Sequence, residues 1–542
     1  MRGDEEWTSL PGLVEAAADR FGDREALVDG PVRLTFRGLA ARVREAAAAA
    51  MAQGVGPGDR VAIWAPNSPA WVVAALGAVS AGGVLVPINT RFKGAEAAYV
   101  LRASGTGLLF VAGEFLGNDY VGMLEQAAGA GDAARPLRGL PDLRRVVVLD
   151  GPAASPYLSW AEFIVAGGMI SAARVSGRAA GVRTGDLSDV TFTSGTTGRP
   201  KGVVITHGQT LRTFATWSDV VGLDTGDRYL VVNPFFHTFG YKAGILACLM
   251  RGATIVPHPV FDPAAVLARV GAERISVLPG PPALYSAILD HPDRAAHDLA
   301  SLRLAVTGAA VIPLDLVRRI RDDLGFGTVL TAYGLTESTG TATMCRRDDD
   351  LETIARTSGR AIPGTEVRVV DAAGQPVPPG RPGEVVIRGY NVMRGYLDDP
   401  EATAAAIDPD GWLHTGDVGE MDGRGYLRIT DRIKDMYVVG GFNAYPAEIE
   451  QQIARHHGVA DVAVVGVPDG RLGEVGKAFV VPRPGAEIDP AELIGWSRER
   501  MANYKVPRYV ELVDELPRNA SGKVLKYALR SPAEARAREE VT

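Results

Sequence analysis

Short apolar runs recur along most of this chain, and they bound its fold more tightly than any other feature. VAIW (61–64), LLFV (108–111), VVVL (146–149), LVV (230–232), ISVL (275–278) and LAV (304–306) are too short for ordinary helices. Most show no alternation of apolar and polar residues, so each predicted strand must be buried on both faces, as in a parallel sheet covered by helices. Ala-rich segments of helical length lie between them, such as 39–51 and 264–272. This alternation continues to about residue 357 and predicts a large α/β assembly of parallel-rich sheets sandwiched by helices. There is no fixed-period repeat.

One uncharged stretch, 71–88, approaches the ~20 residues of a membrane-spanning helix. Gly82-Gly83 interrupts it and Pro87 follows Val84-Leu85-Val86, so it reads as a buried helix, a turn and a short buried strand. The N-terminus, MRGDEEWTSL, is acidic and lacks a signal-peptide apolar core. Only Cys248 and Cys345 are available for disulfides, which suits a reducing compartment. The expectation is a cytoplasmic protein without a membrane span. The 57 Lys and Arg against 64 Asp and Glu leave a net charge of −7, which disfavours nucleic-acid backbones as partners.

After residue 357 the texture changes. Pro and Gly become dense around 376–383, and β-like pieces follow at 367–370 and 384–387, predicting a smaller β-rich or barrel-like subdomain over about 357–431. From 432 to 435 the character shifts again, toward a small α+β tail at 436–542. Pro446, with Glu448 and Glu450 close behind, opens a helix there, and VAVVGV (462–467) is a strand. The last stretch, 531–542, reads as a frayed or disordered helix. His456 and His457 are adjacent and, on a helix, point to different sides, which argues against a zinc site.

The segment TFTSGTTGRPKGV (191–203) concentrates hydroxyls, glycines and the cations Arg199 and Lys201 beside an apolar strand candidate at 203–205. Glycines let backbone N–H groups approach a polyanion, hydroxyls donate to its oxygens, and a cation adds charge. The order is not G-x-x-x-x-G-K-[ST], and it is not a dinucleotide fingerprint; by composition alone it could also be a solvated loop.

That segment resembles the phosphate-binding signature of the adenylate-forming superfamily, which includes acyl-CoA synthetases, adenylation domains and luciferases. In the family's order it is joined by YGLTE (333–337), GWLHTGD (411–417), RIKD (432–435), GGFN (440–443) and PRNASGK (517–523), so the resemblance spans about residues 10–529. It implies ATP-dependent conversion of a carboxylic acid to an acyl-adenylate, pyrophosphate release, and transfer to coenzyme A. It also implies an N-terminal domain at 1–431, a hinge at 432–435 and a mobile C-terminal domain at 436–542.

By this resemblance Thr193, Ser194, Gly195, Thr196, Thr197, Gly198 and Lys201 hold the β- and γ-phosphates. Thr336 meets the α-phosphate and Glu337 holds Mg²⁺. Tyr333 stacks on adenine beside Gly334, with Gly308, Ala309 and Ala310 allowing close approach, and Asp417 and Arg432 anchor the ribose. Lys523 bridges the attacking carboxylate and the α-phosphate as a point charge. Lys434 is the pivot between an adenylating and a thioester-forming pose. Gly440, Gly441 and Phe442 line the pantetheine tunnel of free-standing CoA ligases. His237, in NPFFHTFG (233–240), stands at the mouth of the acyl pocket, while Phe235 and Phe236 could equally be a packed aromatic turn. Taken singly, Thr336-Glu337 could be a helix start, Asp417 a turn residue, Tyr333 a core aromatic and Lys523 a solvated surface lysine.

The acid is left open. The run at 235–244 is similar to ligases for bulky, ring-bearing propanoates from steroid breakdown, and a secondary-metabolite aromatic acid is an alternative. Other acceptors or acids remain open too: a carrier protein, an amine, or an oxyacid such as nitrite. A homodimer is compatible with the sequence. A non-catalytic binding protein is a different class of reading, but it predicts loss of Lys523 or Glu337, and both are present.

Overall fold

Helix Pro69–Ser80 shows how the uncharged stretch resolves. Ser68 accepts the Trp71 backbone N–H at 3.2 Å, Pro69 occupies the first turn, and every residue from Trp71 to Ser80 is buried. A turn at Gly82 (φ +85°) then leads into strand Val84–Pro87, buried along its whole length. A helix apolar on all faces belongs inside a large core. Among the described residues no helix is long and apolar enough to cross a membrane. The structure, a computed structural model, describes residues 2–132, 135–193, 200–308, 312–371, 373–432, 437–444, 446–517, 524 and 526–529.

Two large sheets organise the first part of the chain. The first has eight strands in the order Gly395–Tyr396, Lys201–Thr206, Leu187–Thr193, Val84–Pro87, Arg60–Trp64, Leu108–Val111, Arg145–Val148 and Leu158–Ser159. From Leu187–Thr193 onward its pairings are parallel. The second combines Arg228–Val231, Thr254–Pro257, Glu25–Asp29 and Val32–Thr35 with Leu304–Gly308, Thr328–Tyr333, Thr343–Met344 and Arg360–Ala361. The run at 275–278, expected as a strand, contributes only Val277, which bridges Tyr229 on one side and Leu304 on the other. Pro279 and Pro281 lack the N–H groups needed to extend that ladder. Helices Phe36–Ala52 and Pro263–Glu273 cover the Ala-rich stretches named above.

The expected β-rich subdomain is an antiparallel sheet of four strands in the order Thr365–Val370, Gly383–Gly389, Leu413–Met421 and Leu427–Arg432. An isolated bridge between Arg360 and Tyr426 ties it to the second sheet, rather than a strand pairing that closes a barrel among the described residues. Strand Gly395–Tyr396 leaves this region and joins the edge of the first sheet against Lys201–Thr206.

The small domain has its own core, from Tyr437 to Leu516. Strands Phe442–Ala444, Tyr437–Val439, Gly473–Pro482 and Val459–Asp469 form its sheet, with Tyr509–Leu512 parallel to Gly473–Pro482. Helix Pro446–Ile453 begins at the expected proline. His456 and His457 lie beyond its end, in the following turn, with ring centroids 4.5 Å apart. The rule that adjacent helical residues face different sides does not apply there. Residues 531–542 lie outside the described residues.

Candidate active site

The site grows from the end of strand Leu187–Thr193. Thr193 is its last residue and stands opposite Lys201, the first residue of the returning antiparallel strand, so the two mark the base of the Thr/Gly segment. Ser194, Gly195, Thr196, Thr197, Gly198 and Arg199 lie outside the described residues. Beyond the segment, the Tyr99 hydroxyl donates to the Pro200 carbonyl at 3.1 Å.

Glu337 meets this base from the far side. It sits in the single 3₁₀ turn Thr336–Ser338, and its Oε1 accepts from the Tyr396 hydroxyl at 3.0 Å and from Thr193 Oγ1 at 3.5 Å. Lys201 Nζ lies 5.0 Å from the centre of the Tyr396 ring. Tyr396 therefore connects the expected phosphate and metal residues, and motif spacing did not reveal it. Its only signal was an aromatic beside Gly395 within the β-rich region.

The turn carrying Glu337 is braced. Thr339 adopts φ +56°, costly for a β-branched residue, and is held by its Oγ1 donating to the Asn391 carbonyl at 2.7 Å. The Met393 backbone N–H donates to the Glu337 carbonyl at 2.8 Å. Gly334 is required sterically, since a Cβ there would stand 2.5 Å from the Gly340 carbonyl oxygen. At Gly308 a Cβ would come 2.6 Å from the Ala332 carbonyl oxygen, so its bareness serves the adjacent strand as well as any ligand. Ala309 and Ala310 lie outside the described residues.

Asp417 is 1% exposed and accepts the Tyr333 hydroxyl at 2.6 Å. The Tyr333 hydroxyl thus orients the carboxylate that the sequence reading assigned to ribose. Asp417 pairs with Arg432 in the strand register, so these two positions are adjacent on neighbouring strands. Lys434 and Lys523 fall outside the described residues. Just beyond Lys523, Lys526 pairs with Glu450 at 2.6 Å and ties the following turn to helix Pro446–Ile453.

The acyl-wall segment is built on buried amides. Asn67 Nδ2 lies 3.0 Å from the Val231 and Asn233 carbonyls and 3.2 Å from that of His258, and its Oδ1 accepts the Phe235 N–H at 2.7 Å. Phe235 and Phe236 are both buried, and Phe235 packs on Trp71 with centroids 5.1 Å apart. The packed-turn alternative describes them. His237 differs: the residue is exposed, and desolvation by surrounding protein lowers the pKa of its ring. Its Nδ1 accepts the Phe239 N–H at 3.2 Å.

Directly after it comes a π-helical turn, Tyr241–Leu246, of the kind common at functional sites. There Lys242, 2% exposed, pairs with Asp189 at 2.9 Å. Burial pulls its pKa below the usual lysine value, and Asp189 works against that shift. Because Asp189 lies on the strand ending at Thr193, this pair ties the acyl wall to the base of the phosphate segment. It too was invisible to motif reading.

Residues 14–397 match the AMP-binding enzyme family, and residues 448–523 match the AMP-binding enzyme C-terminal domain. The chain belongs to the AMP-binding enzyme family. As an AMP-forming acyl-CoA synthetase of the adenylate-forming superfamily, it uses ATP and CoA to convert a carboxylic acid, through its adenylate, to a thioester. Among relatives of this family, a 3-[(3aS,4S,7aS)-7a-methyl-1,5-dioxo-octahydro-1H-inden-4-yl]propanoyl:CoA ligase of Rhodococcus jostii is 52% identical over 527 residues, covering 97% of this chain and 99% of that one. A ligase of the same name from Mycobacterium tuberculosis is 52% identical over 523 residues, covering 96% and 98%. Among solved structures, the amide bond synthetase McbA from Marinactinospora thermotolerans superposes with a TM-score of 0.81 at 27% identity, covering 95% of this chain and 98% of that one.

Proposed function

We propose that the acid is a propanoate carrying a bulky, fused-ring ketone, and that the site residues act as the sequence motifs assign them. The observation that carries the substrate reading is the 52% identity, across nearly the full length of both chains, to ligases named for a methyl-dioxo-octahydroindenyl propanoate.

In the first half-reaction a carboxylate oxygen attacks the α-phosphorus of ATP and pyrophosphate leaves. Two anions must meet, so preorganised positive charge and donors set the barrier. Thr193 and Lys201, with residues 194–198, grip the β- and γ-phosphates. Thr336 donates to the α-phosphate, and Asp417 accepts from the ribose hydroxyls with Arg432 as partner. A carboxylate beside a threonine hydroxyl is the hard-oxygen donor set that Mg²⁺ favours, and Glu337 next to Thr193 fits it. Bound there, Mg²⁺ would neutralise phosphate charge. Lys523 supplies the cation that bridges the carboxylate and the α-phosphate.

In the second half-reaction the CoA sulfur attacks the acyl carbonyl and AMP leaves. We assign this step to a pose reached by turning 436–542 about 432–435, with Lys434 as pivot. The arrangement of Gly440–Phe442 supports that assignment. Gly440 and Gly441 have φ of +55° and +86° and turn the chain between strands Tyr437–Val439 and Phe442–Ala444. A Cβ on Gly441 would stand 3.6 Å from Pro281, and Pro279 accepts from the Asn233 amide at 3.0 Å in the acyl wall. The glycine turn therefore lies beside the acyl wall, where a pantetheine arm must arrive.

The test is a panel of acids, including the fused-ring keto-propanoate, ferulate and medium-chain fatty acids. Pyrophosphate release is measured with and without CoA, and the product is read by mass spectrometry. A preference of ten-fold or more in kcat/KM for the fused-ring acid, with an acyl-CoA product, is expected. Equal use of ferulate would overturn the substrate reading. An amide product from added amine, with no thioester, would move the acceptor toward that of the amide bond synthetase.

A further inference from the structure

Outside the reacting groups, a buried charge cluster lies where the small domain meets the large one. Lys505 is 1% exposed, and its Nζ donates to Glu448 Oε1 at 2.6 Å within the small domain and to Glu96 Oε1 at 2.8 Å across the boundary. The same ammonium sits 4.4 Å from the centre of the Phe92 ring of the large domain. Glu96 is fixed before it is used: its Oε2 accepts the Lys93 N–H at 2.8 Å as the capping residue of helix Gly94–Ser104. Glu448 is less well served, because its Oε2 is buried without a hydrogen-bond partner and burial raises its pKa.

Neighbouring contacts connect this cluster to the glycine turn at the acyl wall. Tyr504, beside Lys505, stacks on Phe442 with ring centroids 4.9 Å apart. The Asn89 amide reaches the Tyr504 hydroxyl at 3.4 Å. Ala502 is fully buried in the large domain's core.

We propose that Lys505 is a positioning residue that latches the small domain in the thioester-forming pose by completing an ion pair with Glu96; this rests on the two-pose reading given above. Turning the domain about 432–435 keeps Lys505 with Glu448, on the same rigid body, and parts it from Glu96. A buried pair whose two halves belong to different bodies is satisfied in one arrangement only. It thus biases the equilibrium toward the arrangement that sets Gly441 beside Pro281. Glu96 touches no substrate in this account and acts only through domain position.

The decisive variant is Glu96→Gln, which keeps an acceptor for the Lys93 N–H and removes the charge facing Lys505. Two rates are read: acyl-adenylate formation, as pyrophosphate release without CoA, and single-turnover transfer from supplied acyl-adenylate to CoA. Transfer should fall by about 10- to 100-fold, while adenylation stays within two-fold of the parent or rises. An equal loss in both steps, or no loss in either, would overturn the latch. A thermal unfolding midpoint unchanged from the parent separates a lost latch from a damaged fold, and an unfolding midpoint that drops in step with both rates also counts against it. Lys434→Pro, run alongside, tests the two-pose reading itself. If it blocks transfer while Glu96→Gln does not, the latch fails and the rotation stands. If it spares transfer, the rotation fails.

Discussion

The two domains are held together in different ways, and the contrast bears on the proposal that one site serves two reactions by domain rotation. The main core of the large domain is an apolar cluster that includes Trp7 and Ile362, with parallel strands buried on both faces and helices such as Pro69–Ser80 buried all round; a smaller cluster around Val385 and Leu427 lies under the β-rich sheet. The small domain has a separate core between Tyr437 and Leu516, while its Ala502 is buried in the large domain's core. Where they meet, the distinctive contacts are polar or aromatic: Lys505 with Glu96, Asn89 with Tyr504, and the ring of Phe92 under an ammonium. An apolar interface as continuous as the large core would resist rotation, whereas a modest, partly polar one lets a domain turn as a body. The proposed roles follow this division, with the nucleotide-binding groups proposed on the large domain and the catalytic lysine on the small one.

The sharpest way to break this division is Lys523→Ala. It should slow acyl-adenylate formation about 10²- to 10⁴-fold, the cost of losing a preorganised cation at the transition state. Transfer from supplied acyl-adenylate should stay within a few-fold of the parent. Equal damage to both half-reactions would place the lysine in both poses.

A second prediction tests the independence of the cores. Asp189→Asn leaves Lys242 buried without its carboxylate, and removing one partner of such a pair costs roughly 3–5 kcal/mol. Denaturant unfolding should show the large-domain transition shifted and that of the small domain unmoved. A common shift would mean that the two unfold as one unit.

Acid sensitivity should also localise to the large domain. His207 is buried, its Nδ1 accepts the Leu10 N–H at 3.2 Å, and burial lowers its pKa from 6.5 to about 4. The folded state therefore prefers the neutral ring. That contribution is complete above pH 6.5 and is lost as pH falls toward 4, for a total of roughly 3 kcal/mol. Replacing it by asparagine (His207→Asn) keeps an acceptor near the Nδ1 position, and should flatten the stability–pH curve across that window. An unchanged curve would assign the acid sensitivity elsewhere.

The smallest expected effect sharpens the comparison from the nucleotide side. Asp417→Asn weakens the ribose contact and the charge-assisted bond from Tyr333, worth about 1.5–3 kcal/mol. KM for ATP should rise about 10- to 100-fold. Transfer from bound acyl-adenylate should weaken as well if, as proposed, the large domain holds the nucleotide in both poses. A defect confined to adenylation would contradict that shared role.

Much of the framework was legible in the residue order. The fully apolar runs at 61–64 and 108–111 became interior parallel strands, and the glycine pair at 82–83 separated helix from strand as its φ freedom allows. Thr193, Lys201 and Glu337, from two separate motifs, are gathered at one end of the first sheet. Other residues gave no local sign. Tyr396 matters because its strand crosses back to the first sheet, Asn67 because three chain segments converge on one amide, and Asp189 with Lys242 because the fold buries the two charges against each other.

The sequence by itself determined which segments are buried on both sides, where the backbone turns, and which ordered motifs belong to adenylate chemistry. Those properties depend on hydrophobic periodicity, backbone freedom and residues close together in the chain. Tertiary structure alone decided that Tyr333 orients Asp417, that Tyr396 joins Lys201 to Glu337, and that Lys505 reaches Glu96, partners 409 residues apart. A contact between distant residues exists only after the chain has folded around it. Its strength comes from the exclusion of water, which no local pattern encodes.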